Sequence, residues 1–284
     1  MAKDTFFQKK TTLNICGKLI DLGRPKVMGI INLTPDSFYE GSRISSVDGA
    51  LQQAEKMLNY GATFLDLGAY SSRPGADDIS VQKEMDRLLP VVETIAKQFP
   101  DAIISVDTCR AKVAETAVNS GAHIINDISG GSLDAEMFVT VAKLNVPYIL
   151  MHMKGTPKTM NLLANYGDLF GEVYDYFIDK CHQLRQLGVN DVIIDPGFGF
   201  AKIGHQNYEL MGRLQELNAL QLPVLVGVSR KKMIQNLLGV ASEDALNGTT
   251  ILNTIALTKG ANILRVHDVK EAVEAIKVWE AVNA

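Results

Sequence analysis

From Val27 onward the chain alternates between two patterns. Short runs of consecutive apolar, often β-branched residues are each followed by a longer amphipathic stretch. That alternation is the mark of βα units built on a buried parallel sheet. The apolar runs predict eight strands, at 27–32, 63–68, 103–107, 123–126, 147–152, 192–195, 223–228 and 263–267. The stretches between predict helices near 47–60, 81–98, 110–120, 135–144, 168–187, 206–217, 231–238 with 243–259, and 269–280. Four of these helices run into a glycine just before the next strand, at Gly61, Gly121, Gly188 and Gly260, the usual C′ stop ahead of a short αβ turn. Ahead of the first unit, Leu13-Asn14-Ile15 and 18–22 flank Cys16-Gly17 and predict a small hairpin. Apolar residues at 269, 273, 276 and 279 give the last helix one packing face, for the core or for a dimer.

Eight such units with no linker, low-complexity tract or shift in composition favour closure into one barrel over an open doubly wound sheet. The expected fold is α/β, a (β/α)8 TIM barrel in one domain at 27–284, preceded by an N-terminal segment at 1–26 that carries the hairpin. A length of 284 residues suits this, since such a barrel takes about 250. Composition adds exclusions. The chain is 46% hydrophobic and 21% charged with a net charge of −4, an ordinary soluble balance. The longest basic run is Arg230-Lys231-Lys232, so no nucleic-acid partner is expected. The opening MAKDTFFQKK has no apolar core, and no stretch approaches a membrane span. Cys16, Cys109 and Cys181 are scattered without a CxxC, as expected of reduced thiols in a cytoplasmic protein.

In a barrel of this kind the chemistry sits at the C-terminal ends of the strands. Each predicted strand finishes there in a polar group. In order these are Asn32, Asp66 with the loop at 70–73, Asp107, Asn126-Asp127, His152, Asp195, Ser229-Arg230-Lys231, and Arg265 with His267. Arg265 and His267 are two apart and so share a face. The sharpest stretch is VIIDPGFGFAK at 192–202, where a buried strand delivers Asp195 into a glycine-rich loop carrying Phe198, Phe200 and Lys202. Asp107, Asn126 and Asp195 suit a flat, nitrogen-rich ring that offers N–H donors. Arg73, Lys231, Arg265 and His267 suit a phosphate or carboxylate. Asn32 offers an oxygen to a hard cation such as Mg2+. The residues thus describe an enzyme that binds a heterocycle and an anion, with Mg2+ as a candidate cofactor. Blander roles compete at some positions. Asp107-Thr108 suits a helix cap, Asn126-Asp127 a turn, and His152 a structural hydrogen bond. Cys109 reads as a small packed residue, and His123, His182 and His205 as structural or solvent-facing.

Several stretches carry a resemblance. They are Gly29-Ile-Ile-Asn-Leu-Thr-Pro-Asp-Ser-Phe38, Ser71-Ser-Arg-Pro-Gly75, Ser105-Val-Asp-Thr108, Ile125-Asn-Asp-Ile128, Asp195-Pro-Gly-Phe-Gly-Phe200, Ser229-Arg-Lys231 and Arg265-Val-His-Asp268. Together, and in this order, they resemble the dihydropteroate synthase family of pterin-binding barrels. The resemblance implies condensation of (7,8-dihydropterin-6-yl)methyl diphosphate with 4-aminobenzoate, giving 7,8-dihydropteroate and diphosphate. By the same likeness Asp107, Asn126, Asp195 and Lys231 match the pterin-recognising residues, and Asn32 the Mg2+ ligand. Ser72, Arg265 and His267 match the diphosphate contacts, while Arg73, Phe200 and Lys231 border the aminobenzoate. Asp107, Lys231 and Arg73 are the expected catalytic residues, with Asp107 stabilising a pterin cation. The loops at 32–43 and 70–78 are expected to close as lids. A homodimer and competition by sulfonamides are also implied.

Several positions depart from the family's common form. Gly68-Ala-Tyr-Ser-Ser-Arg73 stands for GGESTR, so Tyr70 replaces an acidic residue; Lys232 replaces a serine; Ala201 replaces a glycine. Two alternatives use similar pterin recognition: a methyltetrahydrofolate–corrinoid methyltransferase and a non-catalytic pterin-binding protein. Asn32, Arg265 and His267, as diphosphate-side groups, weigh against the former.

Overall fold

The computed structural model describes residues 10–33, 47–70 and 78–283. Two short strands come first, β1 (Thr12–Ile15) and β2 (Lys18–Asp21), paired antiparallel about the turn at Cys16-Gly17. Eight parallel strands follow: β3 (Lys26–Asn32), β4 (Phe64–Gly68), β5 (Ile103–Asp107), β6 (Ile124–Asp127), β7 (Tyr148–Met151), β8 (Val192–Asp195), β9 (Leu225–Val226) and β10 (Ile263–Val266). Their sheet order is β8-β7-β6-β5-β4-β3-β10-β9. A bridge between Ile194 and Val224 joins the two ends and closes the ring. The helices are α1 (Val47–Asn59), α2 (Val81–Gln98), α3 (Ala111–Asn119), α4 (Met137–Leu144), α5 (Leu169–Gln186), α6 (Gly204–Gly212), α7 (Lys232–Leu238), α8 (Leu246–Thr258) and α9 (Val269–Asn283). None of them is long and apolar enough to cross a membrane.

The sequence pattern placed these elements well, with two differences. The strand expected at 223–228 is a regular strand only over Leu225–Val226, with Val224 reduced to a single bridge to Ile194; Pro223, which has no N–H, and Gly227, which has no side chain to pack, mark its limits. The helix expected at 206–217 begins at Gly204, stops at Gly212 and gives way to a 3-10 turn at Leu214–Leu220. The four glycine stops hold, with φ running from +87° at Gly188 to +110° at Gly121.

Two apolar layers share the strands. Outward-facing residues such as Ile31, Leu65, Leu67, Val106 and Leu264 pack against the helices in the main core. Inward-facing Met28, Phe64, Ile124, Ile149, Ile193, Leu225 and Ile263 fill the N-terminal end of the barrel. The hairpin joins this second cluster through Leu13 and Ile15, with Leu22 just after it. Both faces of each strand are therefore buried, which is why the strands read as continuous apolar runs without alternation. The alternation is present but hidden. Side chains two apart point the same way, so steps of two lead from the apolar floor to the rim: Met28 to Ile30 to Asn32, Phe64 to Asp66, Ile103 to Ser105 to Asp107, Ile124 to Asn126, Ile193 to Asp195, and Ile263 to Arg265 to His267.

Candidate active site

A cavity of about 880 Å³ opens at the C-terminal end of the barrel. Asn32, Asp107, Asn126, Asp195, Phe200, Lys231, Arg265 and His267 all line it. Ser72 and Arg73 lie outside the described residues, as does most of each loop expected to act as a lid.

A chain of charged groups spans the inner wall. The Arg265 guanidinium donates from Nε to Asp66 Oδ2 at 2.6 Å and from Nη2 to Asp107 Oδ2 at 2.8 Å. Asn126 donates from Nδ2 to the same Asp66 oxygen at 3.0 Å. Asp66 is fully buried. It therefore fixes two rim residues at once. With its NH2 donating to Asp66, the Asn126 side chain has its carbonyl oxygen left as an acceptor with no partner among the described residues, the polarity a ring N–H requires. Asp66 was legible in the sequence only as a strand-end carboxylate, and its bracing role was not.

Burial raises the Asp107 carboxyl above its usual range, and the Arg265 charge opposes that rise. Asp107 bonds to Arg265 rather than to the start of α3, whose first N–H groups find Asp134 and Thr108 instead. Of the Asp107-Thr108 pair expected as a cap, Thr108 serves the backbone ahead of α3 and Asp107 faces Arg265. At Asn126-Asp127 the work divides. Asp127 builds the turn, accepting from Ser129, Gly131 and the Tyr148 hydroxyl, and Asn126 faces the cavity.

Asp195 is also pushed up by burial, against the pull of Lys231 and of the Gly197 N–H, which donates to Oδ1 at 2.8 Å. Lys231 donates to Phe198 O at 2.5 Å and lies 4.8 Å from the centre of the Phe200 ring. Burial brings its ammonium down to about 8, so it remains mostly charged at neutral pH. An apolar ring and a cation thus stand side by side, a pairing suited to an aromatic carboxylate.

His267 differs from the other basic groups. Burial first, then the Arg265 charge, brings it down to about 4, so near neutral pH it acts as an uncharged imidazole. Its Nδ1 lies 3.0 Å from Ser229 Oγ, which also accepts from the His267 backbone N–H at 3.2 Å. Between Ser229 and Lys231, Arg230 takes a left-handed backbone with φ +53°. Its guanidinium holds Asp268 through Nε and Nη2 at 2.8 and 2.9 Å, bracing the end of β9 against the end of β10.

The departures have structural correlates. The Tyr70 ring lies 5.1 Å from the Arg110 guanidinium carbon. Arg110 also bonds Glu84, Asp78 and Ile79 O at 2.8, 2.8 and 2.6 Å. Lys232 is exposed at the cavity mouth. Ala201 takes φ +49°, a left-handed conformation that suits the glycine it replaces.

Asn32 ends β3 and lines the cavity. Among the described residues no group of three or more His, Cys, Asp or Glu converges as a metal site. One amide oxygen fits an Mg2+ that arrives on a phosphate and keeps its phosphate and water oxygens. It does not fit an ion bound by protein alone.

A parallel barrel whose carboxylates, amides and cations meet at this rim defines a small-molecule enzyme of the pterin-recognising kind. The pterin binding enzyme model matches residues 28–267, and the chain belongs to that family. It is 46% identical over 271 residues to the dihydropteroate synthase of Escherichia coli strain K12, covering 93% of this chain and 94% of that protein. Among solved structures, the Yersinia pestis dihydropteroate synthase in complex with a sulfonamide drug superposes with a TM-score of 0.92 at 43% identity, covering 96% of this chain and 99% of the other. The Xanthomonas albilineans enzyme in complex with 7,8-dihydropteroate superposes with a TM-score of 0.84 at 33% identity, covering 97% and 99%.

Proposed function

We propose that this chain is a transferase, a dihydropteroate synthase, joining (7,8-dihydropterin-6-yl)methyl diphosphate to 4-aminobenzoate. The carrying observation is the rim itself: Asp107, Asn126 and Asp195 converge with Lys231 and Arg265 in one cavity, in a chain 46% identical to a known synthase. The same likeness leaves no reason to keep the methyltransferase or the non-catalytic binder.

The reaction breaks the bond between the pterin methylene carbon and a diphosphate oxygen and forms a bond from that carbon to the aniline nitrogen, which gives up a proton. The aniline is a weak nucleophile, and the carbon is conjugated to an electron-rich ring, so departure of diphosphate runs ahead of attack. Such a path needs negative charge beside the developing cation and positive charge on the leaving group. Asp107 and Asp195 supply the first. Arg265, with N–H groups beyond those given to Asp66 and Asp107, supplies the second, and neutral His267 adds a hydrogen bond. A unit charge pair at 4 Å is worth about 4 kcal/mol at an effective dielectric near 20. Two such contacts that strengthen in the transition state account for several powers of ten in rate. Phe200 and Lys231 form the wall for the aminobenzoate, with Arg73 and Ser72 assigned from the family motif. Asn32 would hold an Mg2+ that arrives with the diphosphate, and the ion would supply charge neutralisation at the leaving group. A homodimer is part of this reading. The exposed apolar residues Ile251 and Ile255 on α8, and Val278 and Val282 on α9, offer a face for it.

The test is product formation. Purified protein is mixed with both substrates, with and without Mg2+, and dihydropteroate is followed by mass alongside released diphosphate. Both should appear, and chelation of Mg2+ should suppress both. Binding of the pterin diphosphate with no product would make the protein a binder; absence of binding would overturn the reading of the rim. Light scattering on the same sample should give twice the chain mass of 31.0 kDa.

A further inference from the structure

The segment after β8 turns through three left-handed residues in alternation, Gly197 at φ +70°, Gly199 at +78° and Ala201 at +49°. Such a backbone needs outside support, and Ala201 is strained there. The support converges on one buried side chain. Lys202, 4% exposed, points its ammonium at Phe200 O at 3.0 Å, Gly197 O at 3.1 Å, His152 O at 3.4 Å and His152 Nδ1 at 2.9 Å. Three carbonyl oxygens and one imidazole nitrogen thus surround an amine that, as the ammonium, has three hydrogens and no lone pair. Burial brings the amine down to about 7, with the Asp195 charge opposing the fall; its ammonium form sits in a cage built by the loop carbonyls and by His152 at the end of β7. Burial drives His152 well below its usual range, so its ring stays neutral and keeps a lone pair for the ammonium.

The same loop carries the substrate wall. Phe198 O holds Lys231 and the Phe200 ring lies against it, while Asp195 belongs to the strand that precedes the loop. The geometry points to Lys202 as a positioning residue for the aminobenzoate side of the reaction, holding the 197–200 turn, and through it Phe200 and Lys231, in the shape the second substrate needs. This rests on the synthase reading above. Asn207 assists from α6, accepting from the Gly199 N–H at 2.7 Å and donating to Lys202 O at 3.1 Å. Those bonds tie the turn to the helix, whereas Lys202 ties it to β7 through His152.

Lys202→Met keeps the stem and removes the charge, so the carbonyls lose their partner. The purified variant is compared with wild type for the aminobenzoate KM and for the Kd of free 6-hydroxymethyl-7,8-dihydropterin. The KM should rise about tenfold or more, with the pterin Kd changed by less than about threefold. A general loss of structure would move both together. Equal changes in the two constants, or an unchanged KM, overturn the inference. Should Lys202→Met fail to fold, His152→Phe removes the imidazole acceptor and leaves the ammonium its three carbonyls. Its aminobenzoate KM should rise by about threefold with the pterin Kd unmoved, and an unmoved KM again overturns the inference. Wild-type protein run in parallel separates the two readings. No product from wild type defeats the synthase assignment; turnover by wild type with no shift in the variants defeats only the role of Lys202.

Discussion

Asp66 is a residue whose neighbours explain it better than its own type does. Its Oδ2 takes one bond from Arg265 and one from Asn126, so a single buried oxygen orients both a cation and an amide. Asp66→Asn preserves shape but places a second NH2 group near the one on Asn126 and strips a charge partner from Arg265. Breaking one side of a buried ion pair costs about 3–5 kcal/mol where it cannot relax. We expect kcat/KM to fall by about a hundredfold or more, and the Kd of free pterin to rise with it; unchanged pterin binding would show that Asn126 does not depend on Asp66. His267 gives a pH signature. Its folded value of about 4 lies below the ordinary 6.5, so between those limits the unfolded chain holds a proton that the folded one lacks. Stability from this group is present above pH 6.5 and is lost as pH falls toward 4, at up to about 1.4 kcal/mol per unit. His267→Gln removes that slope. Denaturant titrations at pH 7 and pH 5 should show wild type losing more than the variant, and parallel losses would contradict a depressed imidazole.

The loop after β8 shows what a whole element adds. Gly197 sits at φ +70°, and a Cβ built there would collide with the backbone oxygen of His152. A backbone carbonyl cannot swing away as a side chain does, so Gly197→Ala must displace the turn that Lys202 closes. The expected result is loss of aminobenzoate turnover by two orders of magnitude or more, with near-native far-UV circular dichroism; a variant with wild-type kinetics would mean the turn is not needed in this shape. At this scale the sequence was a good guide to some things and silent on others. The glycine stops, the strand runs and the polar strand ends all follow from local chemistry, and the structure keeps them. Asn32, Asp107, Asn126, Asp195, Lys231, Arg265 and His267 were legible because each ends or follows a strand. Lys202 was visible as a member of the glycine-rich loop, but its role was not, since only folding brings His152 to it from β7. Asp66 was hidden for a related reason: nothing in FLDLG says which partners the carboxylate will meet across the barrel.

The whole molecule separates what makes it stable from what makes it work. The rim holds the charges, and the opposite end is an apolar floor completed by Leu13 and Ile15 of the N-terminal hairpin and by Leu22 just after it. In a barrel that end carries stability rather than chemistry. Leu13 is fully buried among the inward residues of the strands, so Leu13→Ala should leave a void there and cost about 2–5 kcal/mol. For a chain of this size that lowers the melting temperature by about 2–4 °C per kcal/mol. The strands that link floor to rim are held together by rigid hydrogen-bonded ladders, so the loss should not reach the cavity. The aminobenzoate KM and the turnover per folded molecule should match wild type below the melting transition, checked by thermal unfolding beside steady-state kinetics well below that transition. A raised KM under those conditions would show the two ends to be coupled. The hairpin would then act on the rim through the barrel, rather than only closing its floor.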